Sequence, residues 1–407
     1  MKRANGNWVS GDRFWNRTEE LKLLKLKVKE GAHQLVTAQR RMGKTSLLRE
    51  LAERLKDHYI CLFVDLQKAP GPEDAVVALS VATHPYQSLW KKTSGIFSNV
   101  LGLIEGVNYG EIGITLRAGL TAANWREKGD SLFQVLSDAE KPVVLMMDEV
   151  PILVNRILKG DDFTITPERR READVFMSWL RENSQRHQGK VTMLISGSIG
   201  LEPVLNQAGL SATLNTFSPF VLKPWDAATA KGCLDELAAD YGLTFRDSAA
   251  EAVVRRLGYC IPHHVQMFFS NIYDRCMRKG AMEFSADEVE EVYQSDMLGI
   301  HGHVELNHYE ERLKLVLPLE SYALALEMLT ETAVAGRLDR EALAAFASHH
   351  HFSQAPLAGI QKEILQVLQH DGYLELGSNG YVFVSPLLRD WWEKRHGFFH
   401  TPVLERR

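Results

Sequence analysis

The stretch from residue 33 to residue 57 reads HQLVTAQRRMGKTSLLRELAERLKD, and three consecutive parts of it decide the fold. The first, HQLVTA, is a short apolar run of strand length. The last, beginning at Thr45, places Leu47, Leu48, Leu51 and Leu55 at helical spacing, so that one face is apolar. Between them AQRRMGKT follows the pattern GxxxxGK[ST], except that Ala38 stands where the first glycine belongs. Strand, loop and helix in that order predict a phosphate-cradling loop built from Ala38, Gln39, Arg40, Arg41, Met42 and Gly43 and closed by Lys44, Thr45 and Ser46. In such a loop successive backbone N–H groups and the following helix N-terminus surround an anion. Lys44 neutralises the outer phosphates and the Thr45 hydroxyl suits a magnesium ion. Gly43 keeps the backbone clear for close approach. Gly-Lys-Ser/Thr alone would arise by chance in very roughly one chain of this size in five. The flanking elements and a second motif therefore carry the weight.

That second motif lies about a hundred residues on, at 143–149, VVLMMDE. An apolar strand here delivers Asp148 to a magnesium ion and Glu149 to the terminal phosphate, where a carboxylate can orient and deprotonate an attacking water. After the next helix, a third apolar strand at 191–195 runs into Ser196-Gly197-Ser198. A hydroxyl at that point, with Ser198 as the first choice, is expected to reach the same phosphate or its water.

Working outward, residues 59–66 (YICLFVDL) form another apolar run bounded by the turn-rich AlaProGlyProGlu at 69–73. Four apolar strands alternating with helices predict an α/β fold with a mostly parallel sheet covered on both faces. The region 94–130 reads as an insertion, within which EIGITL at 111–116 alternates like a strand. From Trp225 to about Met297 the pattern is helical throughout, with a stop at Gly258 and Pro262. Helices near 319–332, 339–348 and 356–370 follow, and then Tyr373-Leu-Glu-Leu, a Gly-Ser-Asn-Gly turn and Tyr381-Val-Phe-Val. Asn-Gly between alternating apolar residues signals a hairpin, and three helices followed by a hairpin make a winged helix. The expected division is a phosphate-loop domain at 1–224, a helical lid at 225–300, a linker at 301–318 and a winged helix at 319–400.

With 407 residues, 45% of them hydrophobic and 24% charged, and a net charge of -5, the chain has the composition of a globular protein and not of a polycation that coats nucleic acid. Its four cysteines, Cys61, Cys233, Cys260 and Cys276, show no paired spacing and read as buried thiols. No run approaches the ~18 apolar residues of a membrane span and the N-terminus lacks the apolar core of a signal peptide, so a cytoplasmic location with no membrane partner is expected. His349–His351 lack companions at metal-ligand spacing and read as solvated, and the Trp391-Trp392 pair reads as core anchoring. Residues 318–397 carry six Lys/Arg against ten Asp/Glu, with Lys362 alone on the third helix and no basic residue in the wing. Such a module makes a poor footprint for duplex DNA, so a protein partner or self-association is the favoured reading.

FWNRTEEL at 14–21, the loop QRRMGKTSL, the strand ending in Asp148-Glu149, the Ser-Gly-Ser segment, the helical lid and the terminal winged helix together resemble the archaeal-type P-loop ATPases of the AAA+/STAND superfamily. The resemblance spans nearly the whole chain. It implies ATP and Mg2+ as cofactors, with Lys44, Glu149 and Ser198 in catalysis and Thr45 and Asp148 on the metal. Asn16 and Arg17 would lie on the adenine side, and Gly258 to Pro262 would correspond to the lid turn. An arginine supplied by a neighbouring subunit completes the site of ring-forming relatives, and Arg181 and Arg186 are the candidates. Arg40 and Arg41 either touch phosphate or brace the loop against an acidic neighbour. The implied activity is that of an ATP-hydrolysing switch or assembly ATPase whose winged helix contacts a protein. A DNA-associated initiator or loader and a non-catalytic nucleotide-binding scaffold are the other two classes.

Overall fold

The computed structural model describes residues 1–3, 8–97, 109–349 and 357–406. They form two compact units: a sheet unit of residues 17–37 and 47–222, and a helical unit of residues 1–16, 38–46 and 223–407.

In the sheet unit the chain runs α1 (Thr18–Lys29), β1 (Gln34–Thr37), α2 (Lys44–Leu55, which begins in the other unit), β2 (Ile60–Asp65), α3 (Pro72–Ala82), α4 (Gln87–Ile96), α5 (Tyr109–Ala118) and α6 (Trp125–Ser137). It continues through β3 (Val143–Asp148), α7 (Val150–Lys159), α8 (Pro167–Arg186), β4 (Val191–Ser196), α9 (Leu201–Gln207) and β5 (Ser218–Val221). The strands pair in the order β2-β3-β4-β1-β5, all parallel. β3 and β4 are buried at every residue, as central strands covered on both faces must be. Helix α8 starts where local chemistry says it should: Thr166 caps it by accepting from the Arg169 N–H at 3.3 Å, and Pro167 occupies the first turn. Leu47, Leu48, Leu51 and Leu55, read as one helix face, are all fully buried, each contributing roughly 1.5–3 kcal/mol relative to exposure.

Two expectations fail in this unit. EIGITL is helical, part of α5, with Ile112 and Leu116 buried and Ile114 exposed at 75%. Apolar residues four apart serve a helix face as well as a strand alternation, and the short window could not separate them. The fifth strand, SPFV at 218–221, escaped the reading because only Phe220 is buried and Pro219 marks an edge strand.

The helical unit contains α10 (Ala227–Tyr241), β6 (Thr244–Phe245), α11 (Ala249–Leu257), α12 (Pro262–Lys279), β7 (Glu283–Phe284), α13 (Val289–Val292), α14 (Ile300–Val316), α15 (Leu319–Ala335), α16 (Arg340–His349), α17 (Leu357–His370), β8 (Leu374–Gly377), β9 (Gly380–Phe383) and α18 (Pro386–His396). Asp226 caps α10 by accepting from the Thr229 N–H at 2.7 Å. The region after Trp225 is not wholly helical, since β6 and β7 form a two-residue parallel pair too short to leave a periodic signal. The three helices and antiparallel hairpin of the C-terminal segment are present as read, with Leu374 opposite Phe383. Trp391 and Trp392 are buried, and the Trp392 indole N–H lies 3.3 Å from the Thr330 hydroxyl, as core anchors would be. His350 and His351 lie outside the described residues.

Candidate functional site

In the sheet unit all strands are parallel, so β1, β2, β3 and β4 end at one edge. There Asp65 is in register with Asp148, and Ser196 is in register with Val36. The Ser196 hydroxyl donates to Asp148 Oδ1 at 2.7 Å and the Glu149 N–H donates to the same oxygen at 3.1 Å. Glu149 itself sits in the left-handed region, at φ 61 and ψ 27, immediately before α7. Such a backbone costs of order 1–3 kcal/mol for a non-glycine residue and survives only where its surroundings hold it. Here the holding group is Ser198, whose N–H and hydroxyl both donate to Glu149 Oε2, at 2.9 and 2.7 Å.

Gly197 makes that arrangement possible. A Cβ at this position would fall 2.4 Å from Cδ of Pro151, in the first turn of α7. Its absence lets the end of β4 close on the Asp148-Glu149 corner. Sequence reasoning singled out the two serines and passed over the glycine between them, although a small residue between two functional hydroxyls is a signal of close approach. It also missed Arg49, on α2, which stacks over the Phe63 ring at 4.3 Å. Burial pulls the Arg49 pKa down, against the opposing pull of Asp148 and Asp65. Ser198 was expected at phosphate; in this structure its hydroxyl is engaged with Glu149.

The chain leaves this same edge at Thr37 and enters the loop, residues 38–46, which packs within the helical unit. Gly43 has φ +91 and a Cβ there would meet nothing within 4 Å, so the constraint on this residue is its backbone conformation together with open space beside it. Arg41 is also left-handed, at φ 65. Lys44 is 8% exposed, and its ammonium donates to the carbonyls of Ala38 at 2.7 Å and Gln39 at 3.2 Å. Met42 is buried, and the Ser46 hydroxyl accepts from the Val9 N–H at 2.9 Å.

Two further contacts tie the loop to the rest of the helical unit, and a third holds the acid that one of them meets. Gln39 Nε2 donates to the Gly372 carbonyl at 3.0 Å. Arg41 Nη2 lies 3.0 Å from Glu305 Oε2 on α14, and His263 Nε2, in the first turn of α12, lies 3.0 Å from the same oxygen. Burial holds the His263 imidazole below its ordinary value, so a neutral ring donates its N–H to an ionised carboxylate. The hydrogen bond from His263, aided by the charge of Arg41, holds the Glu305 carboxyl down at about 2. Of the two alternatives left open for Arg41, phosphate contact or bracing against an acid, bracing is the one seen in this structure. Nothing in the sequence near Glu305 marked it as that acid.

Asn16 and Arg17 are both left-handed, at φ 56 and 66. Asn16 Nδ2 donates to the Thr229 hydroxyl at 3.1 Å within the helical unit, while Arg17, 6% exposed, pairs with Glu20 at 2.7 Å in the sheet unit. Among the described residues, four of the seven non-glycine left-handed positions (Asn16, Arg17, Arg41 and Glu149) coincide with residues the sequence flagged. Arg186 reaches Asp130 at 3.9 Å on the surface of the sheet unit. The turn from Gly258 to Pro262 is held by Trp225 N–H donating to the Cys260 carbonyl at 3.0 Å, and a Cβ on Gly258 would fall 3.0 Å from Pro386.

Taken unit by unit, the donor types suit magnesium and a polyphosphate: Asp148 of the sheet unit and Thr45 of the helical unit each carry a hard oxygen of the type Mg2+ takes one or two at a time alongside phosphate and water, and in the loop the space beside Gly43 would be filled by a Cβ at any other residue. Among the described residues no group of three or more His, Cys, Asp or Glu could hold a metal ion by itself, and no helix is long and apolar enough to cross a membrane. The four cysteines are free thiols, and burial pushes the Cys61 thiol up to about 12.

Neither a family model nor a curated protein matches the sequence. Solved structures do. A Walker-type ATPase of Pyrococcus abyssi is similar over 93% of this chain and 96% of its own, with 15% identity and a TM-score of 0.61. The ORC2 protein of Aeropyrum pernix, in its ADPNP-ADP complexes, is similar over 96% and 95%, with 12% identity and a TM-score of 0.55. With the parallel sheet, the loop between β1 and α2 and the acid pair at the end of β3, these likenesses show that the chain shares the α/β fold of those two proteins.

Proposed function

We propose that the protein binds ATP with magnesium at the 38–46 loop and hydrolyses it, acting as a molecular switch or assembly ATPase. One observation carries this reading: β1, which feeds the loop, and β3, which ends in Asp148-Glu149, finish at the same edge of one parallel sheet with only β4 between them. Lys44 exchanges its two loop carbonyls for phosphate oxygens, Thr45 and Asp148 hold the metal, and Glu149 takes the proton of the attacking water. The metal supplies charge neutralisation on the phosphates. Ser198 keeps the carboxylate of Glu149 in place, and Arg17 with Asn16 lies toward the base.

The C-terminal three-helix and hairpin segment serves as a winged helix that contacts a protein partner or a second copy. Its net acidity supports this, and so does the state of its arginines: Arg337, Arg389 and Arg395 are each paired with an acid, Asp339, Asp390 and Glu310. Few cations remain for phosphate contacts, which dominate duplex affinity. A DNA-associated initiator is the second reading. Steady-state ATP turnover with magnesium, with and without duplex DNA at moderate salt, separates them. Turnover indifferent to DNA supports the protein-contact reading, stimulation by DNA replaces it with the initiator, and no turnover leaves the nucleotide-binding scaffold.

A further inference from the structure

The donors that meet on Glu305 are the kind a phosphate requires. Arg41 belongs to the phosphate loop, two residues before Gly43, and His263 stands in the first turn of an eighteen-residue helix whose N-cap, Ile261, offers no side-chain cap. Both converge on one oxygen, Oε2, at 3.0 Å. A carboxylate so held behaves as an oxyanion in an oxyanion site. Its helix, α14, belongs to the same compact unit as the loop, and the carboxylate is 35% exposed, so it can return to water without a burial penalty.

We propose that Glu305 is an internal stand-in for the terminal phosphate of a nucleoside triphosphate, occupying Arg41 and His263 until bound nucleotide displaces it. The inference rests on the reading of the 38–46 loop as the nucleotide site. A terminal phosphate carries more charge than a carboxylate and offers three oxygens, so it outcompetes Glu305 for the same two donors once Lys44 has anchored it. The displaced carboxylate releases α14 from the loop. The second tie, Gln39 to the Gly372 carbonyl, places the turn before the C-terminal hairpin on the same loop, so occupancy of the loop is felt by the segment proposed to meet the partner. The apparent ATP affinity is thus the intrinsic affinity scaled down to the fraction of molecules in which Glu305 has left the two donors.

The test is the affinity of the full chain for fluorescent ATP and ADP analogues, measured by anisotropy in wild type, Glu305→Gln and Lys44→Ala. Glu305→Gln is expected to bind the ATP analogue about tenfold more tightly than wild type, with a smaller gain for ADP. An unchanged or weaker ATP affinity, or an equal gain for ADP, overturns the assignment. If wild type and Glu305→Gln bind neither analogue, the nucleotide site itself is refuted along with it. Should Glu305→Gln fail to fold, amide hydrogen exchange of wild type decides: exchange across 300–316 rises with ATP and not with ADP, and equal exchange in both overturns the proposal.

Discussion

The carboxylate of Glu149 accepts two hydrogen bonds on a single oxygen from Ser198, one from its backbone N–H at 2.9 Å and one from its hydroxyl at 2.7 Å. A general base must be aimed, and in the proposed reaction this residue, left-handed and directly preceding a helix, would be aimed by Ser198, two residues past the end of the adjacent strand. Glu149→Gln is expected to retain ATP affinity and lose turnover by roughly 10²–10⁴-fold. Ser198→Ala removes one of the two donors and is expected to lower turnover about tenfold with binding unchanged. Single-turnover hydrolysis with parallel binding measurements checks both, and full activity in Glu149→Gln would rule out this base.

Lys44 now holds the carbonyls of Ala38 and Gln39 together. Lys44→Ala would delete the charge-assisted contact to phosphate proposed for this residue and is expected to weaken ATP binding by roughly 10–100-fold. Titration calorimetry against ATP–Mg2+ reads this directly, with circular dichroism confirming the fold. Retained affinity would remove the claim that the loop binds phosphate.

His264 is 1% exposed and burial lowers its pKa from 6.5 to about 3. The unfolded chain therefore takes up a proton below 6.5 that the folded chain refuses until about 3, so the unfolded state holds more protons in that window and stability falls as pH drops through it. Glu305 adds to the same trend lower down, since its carboxyl is held at about 2 against an ordinary 4.5. Denaturant unfolding followed from pH 7 to pH 4 should show falling stability with a shallower slope in His264→Leu. Identical slopes in the two proteins would show that the ring is not kept neutral by burial.

Gly129 faces Trp179 so closely that a Cβ would fall 2.5 Å from Cζ2 of the indole. Trp179 is 1% exposed, packs edge-on against Trp125 and Phe133, and donates to Asp130 at 2.8 Å, so it has no room to retreat. Gly129→Ala should destabilise the sheet unit by about 1–3 kcal/mol despite its favourable helix propensity. Calorimetry that finds an unchanged or higher melting temperature would show that the indole cluster yields easily.

The sequence by itself determined the strands and helices whose signals are local. HQLVTA, YICLFVDL, VVLMMDE and VTMLI are apolar runs ended by polar or turn residues, and burial on both faces of a parallel sheet writes such runs directly. It also determined which residues stand at the loop and at the acid pair, because their spacing follows from the backbone that must carry them. Only the tertiary structure decided what those residues touch. Glu305 lies 264 positions from Arg41 and Gly372 lies 333 from Gln39, and no periodicity spans such distances. Gly197 matters because Pro151 stands opposite it, and Ser198 serves Glu149 because β4 pairs beside β3. EIGITL became a helix and SPFV a strand for the same reason: in a short segment the neighbours supplied by the fold outweigh the pattern within it.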